Sequence, residues 1–122
     1  MNYDDNFERR TNIRFHINCS VRHRLNHEEI WHQGFTDNIA YSGILIISNR
    51  RYLEKDTIEL NIDFPGIEHP LIAFQTSVMW VLKVQDFNEI SYLTGLEFYN
   101  ITPEQDAFVT SLLSQCNEIL KN

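Results

Sequence analysis

At 122 residues, with 43% apolar side chains and few Gly or Pro, the chain has the size and composition of one packed domain with a real core and not of a disordered tail, and a second domain is not expected. Its net charge of −7 is uneven: through residue 24 five arginines face three carboxylates, a net of +2, so the remainder carries −9. That acidic body argues against a long nucleic acid as partner, which usually needs a basic face across the domain, whereas a compact anion needs only a local cationic cluster.

Residues 1–14 are polar and without period, and are expected to form a flexible arm ordered only by contact. The arm carries Arg9, Arg10 and Arg14. Three guanidiniums so close repel one another, and a small anion matching their planar forks, a phosphate or a guanine edge, would relieve the repulsion. Most charge runs are simply solvated, so the cluster needs a second element to become a site.

From Phe15 the pattern becomes strand-like: Phe15, Ile17, Cys19 and Val21 alternate with polar residues. A polar break from Arg24 to Glu28 leads into a second extended stretch, Ile30 to Thr36, and the two predict a hairpin. Asn38 to Gly43 predicts a tight turn, with Gly43 directly before the apolar strand Ile44 to Ile47. Thr57 to Phe64 alternates cleanly and stops at Pro65-Gly66; β-rich runs follow from Leu71 to Val84 and from Ile90 to Tyr99, the second containing Gly95. Short strands, turn signals and no helical period before residue 100 predict an antiparallel barrel or sandwich.

The carboxy-terminal segment differs. Thr102, Pro103 and Gln105 spell a capping box with Pro at the first helical position. Phe108, Val109, Leu112, Leu113, Cys116, Ile119 and Leu120 then recur on one stripe, which predicts an amphipathic helix packed over the strands. Cys19 and Cys116 stand in no metal or redox spacing, and the five histidines fit no ligand pattern and are assigned to the surface. No apolar run approaches the ~20 residues of a membrane span, so a cytoplasmic protein without membrane insertion is expected. No nucleophile elbow, P-loop or Gly-rich dinucleotide turn is present, and the chain is not expected to be an enzyme.

The arginine arm and the following turn together resemble the PilZ family of cyclic di-GMP receptors, in which an RxxxR arm and a [D/N]xSxxG turn close on one nucleotide. Arg10 to Arg14 fits the first pattern; Asn38, Ala40 and Gly43 fit the second, with Ala in place of Ser. The resemblance implies an all-β-dominated fold, an antiparallel six-stranded β-barrel over residues 15–122 with a C-terminal amphipathic α-helix. It implies cyclic di-GMP as ligand, with Arg9, Arg10, Arg14, Asn38, Ala40 and Gly43 at the site. Asn38 would hydrogen-bond guanine, and Ala40 would lack a hydroxyl contact, weakening binding without abolishing it. Trp80 has two open readings, a core tryptophan or a face for stacking beside the purine; Trp31 is assigned to the core. Family members with an extra Arg before the arm tend to bind an intercalated pair, so Arg9 implies two ligands per chain. An unidentified protein effector, in motility or biofilm control, would read the ordered arm. The alternative is a PilZ-fold adaptor of pilus or motility systems that binds no nucleotide, and Ala40 favours it.

Overall fold

The computed structural model describes residues 14–63 and 72–121, without the side chains of 72 and 115–121. Among the described residues seven strands and one helix follow in order: β1 (Arg14–Phe15), β2 (Ser20–Leu25), β3 (His32–Ala40), β4 (Gly43–Ser48), β5 (Thr57–Asp63), β6 (Ile72–Asp86), β7 (Glu89–Phe98) and α1 (Pro103–Lys121). All pairings are antiparallel. From β3 the ladder runs through β2, β5, β6, β7 and β4 and returns to β3, so six strands close a barrel and β1 adds to β3. Within the closed ladder each of these six strands is paired on both sides, which removes the free edges that are the usual liability of an antiparallel sheet.

The inward residues follow the period of two. Val21, Ile39, Ile44, Ile46, Ile58, Leu60, Ile62, Phe74, Val78 and Leu96 are buried in one cluster. Helix α1 closes it with Val109, Leu112 and Leu113 of the expected stripe, with Phe108 partly buried against the cluster; the Cys116, Ile119 and Leu120 side chains lie outside the described residues. The capping box forms as predicted: the Gln105 backbone N–H donates to Thr102 Oγ1 at 3.1 Å, and the Thr102 N–H donates to Gln105 Oε1 at 3.0 Å. The Gln105 amide also donates to the Ala73 carbonyl, tying the helix start to β6.

Four expectations are corrected. The first strand is not continuous: β1 and β2 run along β3 with residues 16–19 between them outside any strand. There the buried Thr36 hydroxyl donates to the Ile17 carbonyl and accepts from the Cys19 N–H, replacing ladder bonds with side-chain bonds. The polar break begins later than expected, because β2 continues to Leu25. That continuation brings His23 inward in phase with Val21, and it is 0% exposed, not a surface histidine. Its ring is satisfied there, Nδ1 sharing a hydrogen bond with the Tyr52 hydroxyl at 2.5 Å and Nε2 lying 3.3 Å from the Gln33 carbonyl. Trp31 is half-buried rather than in the core, with the Arg24 guanidinium 4.1 Å and that of Arg22 5.6 Å from its ring centroid.

Candidate functional site

The β3–β4 connection is tighter than Asn38 to Gly43. Asn38 and Ala40 end β3, the turn is Tyr41-Ser42, and Gly43 starts β4. Gly43 is required by close approach of β7: a Cβ there would stand 2.1 Å from the Leu96 carbonyl oxygen. Its backbone is not left-handed, so proximity rather than turn geometry demands the glycine.

Two β-bulges decide what this part of the barrel shows to solvent. In β3 the register passes from Thr36↔Ile46 to Asn38↔Leu45, skipping Asp37. In β6 it passes from Val78↔Leu96 to Trp80↔Gly95, skipping Met79. One extra residue reverses the face of everything after it. Strict alternation would send Asn38 inward after Thr36 and Trp80 inward after Val78. With the bulges, Thr36, Ile46 and Thr94 lie buried in one inward row, while Asn38, Leu45, Gly95 and Trp80 form the next row across β3, β4, β7 and β6 on the outer side of the wall, where Asn38, Leu45 and Gly95 are themselves covered and Trp80 is exposed. Trp80 is 40% exposed, so it is not a core tryptophan. Its indole lies over Gly95, where a Cβ would be 2.5 Å from Cε2 and Nε1.

Arg14, at the junction of arm and barrel, lies opposite Ala40 in the β1–β3 ladder. Its Nη1 donates to Asn38 Oδ1 at 3.0 Å, and Asn38 Nδ2 donates to Asp37 Oδ2 at 2.9 Å. The bulged Asp37 thus orients the Asn38 amide. Ala40 is buried and brings no polar atom from its side chain. Among the described residues the ion pairs are Arg24–Glu59 and Arg50–Glu28; Arg14 is in neither, and it is exposed.

Beside this row is a cavity of about 310 Å³, lined by Arg14, Gly43, Trp80 and Gly95 among others. It lies at the low end of the ~300–1,000 Å³ usual for small-ligand sites. The expected residues Arg14, Asn38, Ala40, Gly43 and Trp80 therefore gather on one side of the barrel; Arg14, Gly43 and Trp80 line the cavity, and Asn38 and Ala40 adjoin Arg14. Arg9 and Arg10 lie outside the described residues. Ser42, Met79 and Glu97 also line the cavity and were missed, as was the orienting role of Asp37. A sequence signal for the bulge existed: a glycine inside a strand, here Gly95, marks a bulge or a close approach. Guanidinium, amide and indole together suit a planar, anionic, hydrogen-bonding ligand.

Across the barrel, burial lowers the His23 pKa to about 4, with the neighbouring His32 and Arg50 acting in the same direction. Glu28 is held down to about 2 by its hydrogen bonds from Arg50. Among the described residues no cluster of His, Cys, Asp or Glu could hold a metal ion, and no helix is long and apolar enough to cross a membrane.

A family model described as the PilZ domain matches residues 8–115. The chain belongs to the PilZ family. Solved structures share its fold. The Bacillus subtilis inhibitor of motility (MotI/DgrA) is 18% identical with a TM-score of 0.69, over 90% of this chain and 50% of that one. The PilZ domain of YcgR from Escherichia coli, solved with cyclic di-GMP, is 12% identical with a TM-score of 0.63, over 89% and 92%. The Borreliella burgdorferi PlzA protein, solved in complex with cyclic di-GMP, is 13% identical with a TM-score of 0.65, over 99% and 57%. At these identities the likeness is one of fold, and this PilZ chain spans about half the length of the Bacillus protein. No curated protein matches in sequence.

Proposed function

We propose that this PilZ chain is a cyclic di-GMP receptor that passes the signal to a protein partner and has no catalysis of its own. The observation that carries the proposal is the outward row Asn38, Leu45, Gly95 and Trp80, with the Arg14 guanidinium bonded to Asn38 beside the cavity. Arg14 and, from the arm, Arg10 bind phosphate and guanine edges; Asn38 bonds a guanine, Gly43 lets the nucleotide approach the backbone, and Trp80 stacks on a purine. The arm of residues 1–14 closes over the ligand against the single domain of residues 15–122. Ordering it spends part of the binding free energy and creates a new surface for the partner. Arg9 adds the cation that an intercalated pair of ligands needs, so two molecules bind per chain.

Ala40 supports a second reading, a PilZ adaptor of pilus or motility systems that binds no nucleotide, because the family's hydroxyl is missing there. Calorimetric titration with cyclic di-GMP separates the two. Binding with two ligands per chain is expected; absence of binding would reject the receptor and leave the adaptor.

A further inference from the structure

The β6–β7 hairpin is longer than the barrel needs. β5 pairs with β6 only from Ile72 to Ser77, and β4 pairs with β7 only from Tyr92 to Glu97, whereas β6 and β7 remain paired out to Asp86 and Glu89. The outer half of the hairpin therefore projects beyond the closed ladder. Its faces differ. Trp80 and Gly95 lie on the face turned to the Arg14 cavity. The pairs Val81↔Thr94, Lys83↔Tyr92 and Gln85↔Ile90 lie on the other face, which continues the barrel's interior surface into solvent.

On that second face a larger cavity, about 430 Å³, opens between the hairpin and the segment Arg51 to Glu54. Val81, Tyr52 and Tyr92 supply its apolar and aromatic lining, while Arg51 and Lys83 are exposed. Against these two cations the lining holds one carboxylate, Glu54, so the cavity is locally positive on a chain of net charge −7. Among the described residues neither cation is in an ion pair. Leu53 in the lining is 64% exposed, and Ile90, two residues along the same face from Tyr92, is 43% exposed.

We propose that this second cavity is the docking groove of the protein partner, and that the partner presents an extended acidic segment bearing apolar side chains. The proposal rests on the reading that the chain acts through a protein partner, which the receptor and the adaptor share. An extended segment fits the geometry because the groove runs along a projecting hairpin, with apolar contacts for alternate side chains and two cations for the carboxylates between them. A small anion fits worse: the cations stand in solvent, and the one hydroxyl among the buried lining, that of Tyr52, is already bonded to His23. Charge complementarity of this kind raises the encounter rate and rejects basic partners. The hairpin is also the shared wall of both cavities, so a ligand seated on Trp80 presses on the strand that carries Val81 and Lys83.

The test is a nuclear magnetic resonance titration of the full chain with a short synthetic peptide alternating Glu with Phe and Leu, and with its counterpart carrying Lys for each Glu. The acidic peptide is expected to shift the amides of Arg51, Leu53, Lys83, Ile90 and Tyr92; the basic one is not. Arg51→Glu combined with Lys83→Glu should weaken the acidic peptide at least about tenfold. Calorimetry on that double variant should leave cyclic di-GMP affinity at the wild-type value, so loss of nucleotide binding in wild type would sink the receptor reading alone. Shifts elsewhere, equal response to both peptides, unchanged affinity in the double variant, or a concentration-dependent dimer closing this face in sedimentation would each overturn the docking groove.

Discussion

The Trp80 indole occupies the space above Gly95 that a Cβ would need, the two residues facing each other directly across β6 and β7. Gly95→Ala must therefore displace the indole, which is possible because it is a side chain at the surface. We expect a small loss of stability, about 1–3 kcal/mol, a changed tryptophan emission and weaker nucleotide binding. Gly43→Ala differs in kind, because its Cβ would meet the Leu96 backbone oxygen, which cannot rotate away. It should destabilise more than Gly95→Ala in a denaturant titration, and the reverse order would contradict the strand spacing described.

Arg14→Ala removes the donor to Asn38 and the cation at the cavity mouth while leaving an exposed position in a two-residue strand. Cyclic di-GMP affinity is expected to fall by about 1–3 kcal/mol with the unfolding midpoint nearly unchanged. Arg10→Ala should behave alike, and Arg9→Leu should lower the calorimetric stoichiometry from two towards one. Wild-type affinity in both alanine variants would remove the arm from the site.

Ala40→Ser restores the family's hydroxyl, and a gain in ligand affinity of roughly 0.5–1.5 kcal/mol is expected. Ala40 is 1% exposed, so without ligand the new hydroxyl has no water, and the empty protein should lose about 1–3 kcal/mol of stability. Calorimetry and melting of the same sample check the opposite signs. Unchanged or weaker binding would mean that the turn does not approach the ligand.

His23 is held neutral by burial, its pKa lowered from 6.5 to about 4, among Tyr52, His32, Arg50 and Glu28. The unfolded chain takes up the proton first, so the contribution is complete above about pH 6.5 and is lost as pH falls from there to about 4, on the order of 3 kcal/mol in all. Glu28 is depressed from 4.5 to about 2, so its contribution is lost only at lower pH, between those values. Urea midpoints between pH 7.5 and 4 should fall for wild type and fall less for His23→Gln. A flat wild-type profile would contradict the buried neutral ring.

Much of the chain was legible from local pattern. The alternation at Ile58, Leu60 and Ile62, the capping box at Thr102 and Gln105, and the stripe of Val109, Leu112 and Leu113 are each written within a few residues, because side-chain direction in a strand or helix follows from backbone period alone. The arm and turn motifs singled out Arg14, Asn38, Ala40 and Gly43, and the fold places these four near one another. What local pattern could not supply was phase. His23 looked polar and therefore external, yet its hydrogen-bond partners lie at Gln33 and Tyr52, so its burial depends on strands distant in sequence. Asn38 and Trp80 share a face only because β3 and β6 each carry one unmatched residue, and a bulge is defined by the neighbouring strand it fails to match. Closing the barrel brings those strands together, and with them the residues beside the Arg14 cavity.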